Sequence, residues 1–445
     1  MKNHTGRSFW LTLCTIGLLW ALYYLPTLEV GGTPLRRVNL LSEVRQREKP
    51  STQEAALPSV PPPPTSRPAA VRDTNKILDY GDTTGRGMRP FYTALRQRST
   101  LGRPVRIAYF GDSFIEGDIL TGHLRSLLQK RYGGTGVGFV DVGTRNPGFR
   151  PTVIQHHNGW DSHVAIDSSG YRSSLAGISS AYYTADSAAY TELRLVKRDV
   201  AKDTSLVSDL FFRLWGEATV NVSVNGHHLN AFHPSGNGEL QHLRAEGNIS
   251  RVRWHISEAD SAVFYGATTE DDTGISLDNF ALRGSSGTPL MRLPEAHLND
   301  FNSLHPYDLL ILQYGLNVAN DKVTDYSYYA KQLRRLIEHL KRAFPQAGIL
   351  IVGVGDRENK DEEGELRTLR GIKPLIRYQQ QVAAQTGVAF WNLYEAMGGE
   401  GSIVRMVQAV PPEANRDYTH LNFRGGNRLA QLLFQALTKG EQNFK

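Results

Sequence analysis

The sequence predicts an α/β fold, in which a parallel β-sheet is covered by helices on both faces and an all-β domain is inserted. Two observations predict it. Short apolar strands, at 105–110, 309–312, 349–354 and 388–393, alternate with amphipathic helices. Between residues 146 and 278 the pattern changes to strands of period two, with many Gly, Ser and Asn residues and almost no helical periodicity.

The α/β part is expected at residues 76–145 and 279–445. Its first strand, 105–110, runs into Gly111-Asp112-Ser113, and leucines at helical spacing follow from Leu120. This is the start of a βα unit. Later helices are indicated by the apolar positions between Tyr329 and Leu340 and between Leu429 and Leu437.

The inserted part, residues 146–278, is expected to form a β-sandwich. Val220, Val222 and Val224 alternate with polar residues and lead directly into Asn225-Gly226, a dipeptide typical of β-hairpin turns. Further strands are predicted at 210–215, 252–256 and 263–267.

The N-terminus, residues 1–26, contains an uncharged apolar run at 9–25, preceded by Lys2 and Arg7. The run ends in bulky residues instead of a small-residue cleavage site, which favours an uncleaved membrane anchor over a signal peptide. The positive flank predicts that the rest of the chain lies outside the inner membrane, in the periplasm. Residues 27–75, with four consecutive prolines at 61–64, are expected to be an extended linker.

Composition excludes several classes of protein. There are 50 Lys+Arg against 44 Asp+Glu, a net charge of +6 without a dense basic block, so binding to nucleic acid is not expected. Cys14 is the only cysteine, which excludes a disulfide within the chain and a cysteine-based zinc site. The pairs His156-His157 and His227-His228 lack a carboxylate at a ligand spacing, so we expect no metal and no cofactor.

Three residues have the chemistry of a nucleophilic site. Ser113 follows the first α/β strand, at the carboxyl edge where open parallel sheets bind their ligands. Asp417 lies three residues before His420, close enough for its carboxylate to reach the imidazole Nδ1–H while Nε2 accepts the serine proton. Each piece alone is more typical of a turn or a helix cap. The pairing favours catalysis.

Acyl transfer also requires donors for the oxyanion, and two residues can supply them. Gly284 follows a strand-like stretch and offers an N–H that no Cβ obstructs. Asn317 follows the strand 309–312 and offers a side-chain amide. With the Ser113 N–H they make three donors, although each alone is more often an ordinary loop residue.

In order and context, Gly-Asp-Ser113, Gly284, Gly-x-Asn317 and Asp417-x-x-His420 resemble the four blocks of the SGNH (GDSL-like) hydrolases. The resemblance implies a flavodoxin-like three-layer fold and ester hydrolysis without a metal. It further implies that Ser113 is the nucleophile, His420 the base and Asp417 its orienting group, with Ser113, Gly284 and Asn317 forming the oxyanion hole. Val318 stands where the family usually has Asp, and Phe114 where Leu is common.

About 170 residues separate Ser113 from Gly284, which accommodates the β insert. This arrangement resembles the peptidoglycan O-acetylesterases and related polysaccharide acetylesterases, whose insert resembles a jelly-roll carbohydrate-binding module. The resemblance implies a membrane-tethered carbohydrate O-acetylesterase whose substrate is an acetylated polysaccharide, with peptidoglycan favoured. Trp160, Trp215 and Trp254 of the insert are candidates for stacking on sugars, although such strand positions are more often core.

Three alternatives remain open at this point. An O-acetyltransferase would form the same acetyl-serine and pass it to a sugar hydroxyl instead of water. A glycan-binding scaffold would keep the fold with a vestigial site. A lipase or general esterase would share the fold, because a fold alone does not choose a substrate.

Overall fold

The computed structural model describes residues 10, 29–30, 33–34, 75–81, 85–167, 170–196, 206–360 and 363–444. The predicted anchor, apart from Trp10, and most of the predicted linker lie outside these ranges. No helix within them is long and apolar enough to cross a membrane. The chain divides into two units, 1–70 and 71–445, and in the first the short strands β1 (Glu29–Val30) and β2 (Thr33–Pro34) pair antiparallel.

The second unit contains the α/β part and the insert. Its strands are β3 (Ile77–Asp79), β4 (Val105–Gly111), β5 (Gly136–Asp141), β6 (Val153–Val164), β7 (Ala181–Leu195), β8 (Leu206–Leu214), β9 (Ala218–Val224), β10 (His227–Phe232), β11 (Leu240–Gly247), β12 (Arg251–Ala259), β13 (Ala262–Asp271), β14 (Ile275–Ala281), β15 (Leu309–Gln313), β16 (Gly348–Val352), β17 (Glu358–Lys360), β18 (Leu366–Thr368) and β19 (Ala389–Trp391).

The helices of this unit complete the α/β layers. In chain order they are α1 (Arg89–Gln97), α2 (Thr121–Tyr132), α3 (Thr288–Met291), α4 (Glu295–Leu304), α5 (Ser327–Ala343), α6 (Ile372–Thr386), α7 (Leu393–Met397), α8 (Ser402–Gln408) and α9 (Phe423–Asn443). Short 3₁₀ turns occupy Glu116–Asp118, Pro147–Phe149 and Ser173–Leu175.

A six-stranded sheet with the order β14-β4-β15-β16-β19-β3 forms the centre of the α/β part. The pairs β14–β4, β4–β15, β15–β16 and β16–β19 are parallel, and only the edge strand β3 runs antiparallel, against β19. The parallel sheet is therefore confirmed for the strands that the sequence predicts. The antiparallel edge strand β3 is not predicted from the sequence, because three residues are too few to show a strand-like alternation of apolar and polar positions.

Both faces of this sheet are buried, which explains why its strands are continuously apolar. Ile107 and Tyr109 of β4 point to the face covered by α1, α2 and α9. Ala108 and Phe110 point to the opposite face, where they belong to one core with α4, α5, α6 and part of the insert. The helices thus hold the carboxyl ends of β4, β14 and β15 rigidly at one edge.

The insert forms a nine-stranded antiparallel network in which β7 pairs with β6, β12 and β13. The inward side chains of these strands meet in a single apolar cluster. β9 and β10 are joined by Asn225 (φ 54°) and Gly226 (φ 90°), a turn in which both residues need positive φ. The predicted hairpin therefore forms where the dipeptide indicates it.

The two sheets exchange strands close to the sequence-based limits of the insert. β5 pairs with β13 of the β-rich network, whereas β14 pairs in parallel with β4 of the α/β sheet. The exchange thus falls at residues 136 and 275, while the sequence sets the limits at 146 and 278. β5 directly follows α2 and reads Gly-Val-Gly-Phe-Val-Asp, which by pattern alone suits either sheet.

Candidate active site

Ser113 lies just beyond the end of β4, at the carboxyl edge of the parallel sheet. Its hydroxyl Oγ is 2.9 Å from Nε2 of His420. His420 comes from the loop before α9, 307 residues further along the chain. The structure therefore brings together the serine and the histidine that the sequence singles out, at a distance suited to proton transfer.

The loop 417–420 holds the imidazole in one orientation. Asp417 Oδ2 is 2.7 Å from His420 Nδ1, and Asp417 Oδ1 accepts the backbone N–H groups of Thr419 (3.1 Å) and His420 (3.0 Å). Tyr418 between them has a φ of 52°, so the turn is tight. With Nδ1 donating to the carboxylate, Nε2 is left as an acceptor facing the serine hydroxyl.

Asp417 stays ionised in this setting. Its partial burial alone would raise the carboxyl pKa, but the hydrogen bonds from His420 and Thr419 outweigh that effect and hold the pKa below its ordinary value. The side chains of Asp417 and His420 remain 49% and 32% exposed. Water can therefore reach the imidazole from the open side of the site.

The predicted oxyanion donors lie at the same sheet edge. Gly284 has a φ of 76°, and a Cβ there would meet nothing within 4 Å, so open space faces its backbone. Asn317 donates through Nδ2 to the carbonyl oxygen of Ser285 (3.0 Å) and to Oδ2 of Asp112 (3.2 Å). These contacts link Asn317 to the neighbours of both Gly284 and Ser113. Both amide hydrogens are engaged, so an oxyanion would have to replace one of these acceptors.

Asp112 is a site residue that the sequence reasoning does not single out. It is buried beside Ser113, and its Oδ1 accepts the Phe114 N–H at 3.0 Å. Burial raises the pKa of this carboxyl to about 6, although the Phe114 N–H and the nearby His420 oppose the shift. Its position directly before the predicted nucleophile is the only sequence signal that points to it.

A pocket of about 440 Å³ opens over the triad. Phe149 and Phe423 form part of its wall, and they are 49% and 45% exposed. Arg283 and Glu116, which form an ion pair, line the same pocket. Phe423 follows His420 by three residues, but Phe149 lies in a turn before β6, where no sequence pattern indicates a role.

A buried charge network fixes Phe149 beside the pocket. The neighbouring Arg150 donates to the Asp118 carboxylate (3.2 Å) and to the carbonyl oxygens of Phe139 and Val137 (3.0 Å each). Gly117 approaches the Phe149 carbonyl so closely that a Cβ would lie 2.7 Å from its oxygen. The loop after Ser113 and the first turn of the insert are thus locked together.

The histidine pairs of the insert do not form a metal centre within the described ranges. No group of three or more His, Cys, Asp or Glu residues among those residues is placed to hold a metal ion. Nε2 of His157 instead lies 2.8 Å from the Thr144 carbonyl oxygen. Of the three insert tryptophans, Trp254 is buried in the core and Trp160 is half-buried, whereas Trp215 is exposed.

Residues 249–425 match the sequence model of the GDSL-like lipase/acylhydrolase family. The match includes Gly284, Asn317, Asp417 and His420 but not Ser113, which the insert separates from them. The comparison with curated proteins found no match.

Among solved structures, a peptidoglycan O-acetylesterase superimposes with a TM-score of 0.69 at 23% identity, over 83% of this chain and 99% of that one. A Bacillus subtilis protein gives a TM-score of 0.32 at 13% identity, over 75% of this chain and 98% of that one. A family two carbohydrate esterase from Clostridium thermocellum gives 0.28 at 12% identity, over 64% and 98%. TM-scores as low as the last two do not establish a common fold.

The family match and the fold of the first neighbour agree with the strand-end site described above. The chain is a serine ester hydrolase whose residues 249–425 resemble the GDSL-like lipase/acylhydrolases, and its fold is similar to that of a peptidoglycan O-acetylesterase.

Proposed function

We propose that this protein is a carbohydrate O-acetylesterase that removes acetyl groups from a polysaccharide, with peptidoglycan favoured, through an acetyl-Ser113 intermediate. The observation that carries the proposal is the relay from Ser113 Oγ to His420 and Asp417, with distances of 2.9 and 2.7 Å, beneath an open pocket. The neighbour of similar fold is a peptidoglycan O-acetylesterase, which supports an acetylated polysaccharide as substrate.

In the first half-reaction, His420 Nε2 takes the Ser113 proton as Oγ attacks the acetyl carbonyl carbon. The tetrahedral oxyanion is stabilised by the N–H groups of Ser113 and Gly284 and by the Asn317 amide. Collapse breaks the bond to the sugar oxygen, which leaves as a hydroxyl with the proton from His420. The acetyl group is then esterified to Ser113.

In the second half-reaction, His420 removes a proton from water as the water oxygen attacks the acetyl-serine. Acetate leaves, and the proton returns to Ser113 Oγ. The partial exposure of His420 and Asp417 favours water as acceptor over a sugar hydroxyl, because bulk solvent reaches the base directly. We therefore place hydrolysis ahead of transfer.

We further propose that the protein works in the periplasm, held to the inner membrane by its N-terminal segment. This part of the proposal rests on the uncharged run at 9–25 and the positive residues before it. The proline-rich stretch up to residue 75 would separate the site from the membrane surface.

The test is acetate release by the full-length protein from O-acetylated peptidoglycan and from acetylated xylan. Ser113→Ala is compared with Ser303→Ala, an exposed serine of α4 whose hydroxyl donates to the Asn299 carbonyl oxygen of its own helix. Release that requires Ser113 but not Ser303 supports the esterase, and the preferred polymer gives the substrate class. If neither polymer yields acetate while a small activated ester still acetylates Ser113, the esterase proposal fails and an O-acetyltransferase becomes the favoured function.

A further inference from the structure

A second and larger cavity, of about 830 Å³, lies beside the catalytic pocket. It is lined by α2, by the first residues of α9, by residues 134–137 at the start of β5, and by the chain where β6 begins and β7 ends. Phe423 lines this cavity as well as the pocket over Ser113. The cavity and the catalytic pocket therefore meet at the exposed Phe423 ring, and the acetyl-transfer chemistry itself does not use the cavity.

The charges around the cavity are largely neutralised within the protein. The carboxylate in the cavity wall belongs to Asp118, which is buried and forms ion pairs with Arg125 (3.0 Å) and Arg150 (3.2 Å). It also accepts a hydrogen bond from the Thr152 hydroxyl. Burial lowers the pKa of His123, which favours the uncharged form of this ring. Lys130 is exposed at the edge and adds a single positive charge.

The remaining polar wall consists of uncharged hydroxyl and amide groups from Ser126, Gln129, Thr135 and Asn427. Such a wall fits a molecule rich in hydroxyl groups and is poorly suited to a long acyl chain.

We propose that this cavity binds the sugar residues next to the acetylated one, so that the polysaccharide passes over Phe423 from Ser113 towards α2. The inference rests on the proposed function and adds to it the recognition of a chain instead of a single sugar. Binding energy from these remote sugars would be used to place the acetyl group at Ser113. A small ester cannot use it.

The experiment fills the cavity from an exposed position. Asn427 lies on α9 one turn after Phe423, so Asn427→Trp places an indole in the cavity without disturbing a buried contact. Gln435→Trp is the matched control: it is exposed on the same helix, about 12 Å further along the axis, and does not line the cavity. Both variants are made in the full-length protein.

The substrates are 4-nitrophenyl acetate and O-acetylated peptidoglycan fragments of two and eight sugars. The wild type and Gln435→Trp should prefer the longer fragment by about tenfold or more in kcat/KM. Asn427→Trp should lose that preference, so that its kcat/KM values on the two fragments become nearly equal, whereas Gln435→Trp should keep its activity on 4-nitrophenyl acetate within about twofold of the wild type. An unchanged preference in Asn427→Trp, or equal rates on both fragments in the wild type, would overturn the inference.

A binding measurement separates this inference from the esterase proposal. Ser113→Ala protein is titrated with the eight-sugar fragment by calorimetry, with and without Asn427→Trp. Weaker binding in the double variant supports the chain-binding cavity even if the wild type releases no acetate from glycans. Equal binding, or none in Ser113→Ala, would refute it whatever the hydrolysis assay shows.

Discussion

Replacing Asp417 by Asn is expected to damage the enzyme more than replacing it by Ala. Oδ1 of Asp417 accepts two backbone N–H groups, at 3.0 and 3.1 Å, whereas Oδ2 faces His420 Nδ1. In the Asp417→Asn variant the amide oxygen must take the Oδ1 position, which turns the NH₂ group towards Nδ1. His420 is then forced to carry its proton on Nε2 and cannot accept the serine proton.

The magnitude follows from the contacts that would be lost if the amide flipped. The flip leaves two backbone N–H groups facing an NH₂ group, at a cost of about 1 kcal/mol each, so the wrong tautomer is favoured by about 2 kcal/mol. That corresponds to about 30-fold in rate. Asp417→Ala loses the acceptor of these two N–H groups and the charge beside His420, worth about 1–4 kcal/mol at effective dielectric constants of 80 to 20, but it does not impose the wrong tautomer.

The assay is kcat/KM on 4-nitrophenyl acetate for the wild type, Asp417→Ala, Asp417→Asn and His420→Ala, with thermal unfolding as a control for the turn. We expect Asp417→Ala to retain the most activity of the three variants and Asp417→Asn to fall about 30-fold below it. Equal activity in the Asn and Ala variants, or a more active Asn variant, would refute the assignment of Oδ1 to the backbone and Oδ2 to the imidazole.

Three further predictions concern the surroundings of the triad. Asn317→Ala should lower kcat about 10²- to 10³-fold through loss of an oxyanion donor, and a loss below about threefold in a steady-state assay would remove that role. Arg150→Ala should lower the free energy of unfolding in urea by about 3–5 kcal/mol because the buried Asp118 loses a partner. As a comparison, Arg145 forms an exposed ion pair with Asp167, so Arg145→Ala should lower the free energy of unfolding by at most about 1 kcal/mol. Similar losses in Arg150→Ala and Arg145→Ala would contradict the expected difference. Burial raises the pKa of Asp112 to about 6, so its stabilising contribution is present below the ordinary value of 3.8 and is lost as pH rises through 6. Relative to Asp112→Asn, wild-type stability should fall by up to about 3 kcal/mol between pH 4 and 7, and parallel curves would show that Asp112 does not titrate there.

The α/β sheet could be predicted from the sequence because its strands are buried on both faces and their apolar runs are therefore unbroken. β4 and β15 lie where those runs indicate, within one residue at their ends. The edge strand β3 is only three residues long and pairs with β19 by tertiary contact, so no local period marks it. The strand β5 joins the insert for a similar reason: its partner β13 lies more than 120 residues away.

The candidate triad could also be predicted from the sequence, because Ser113 directly follows a predicted strand and Asp417 lies three residues before His420. The residues that form the pocket walls could not be predicted in this way. Phe149 owes its place to the buried contacts of Arg150 with Asp118 and with two β5 carbonyl oxygens, which depend on the folded insert. The double engagement of the Asn317 amide depends on Ser285 and Asp112, which lie 32 and 205 residues away in sequence.

The most direct test of the central claim is to locate the acetyl group during turnover. Full-length protein is mixed with 4-nitrophenyl acetate, quenched in acid within the first turnover, digested and mapped by mass spectrometry. The mechanism predicts one acetyl group, on the peptide containing Ser113, which decays as fast as acetate appears. An acetyl group on another residue, or acetate release by Ser113→Ala at the wild-type rate, would contradict it.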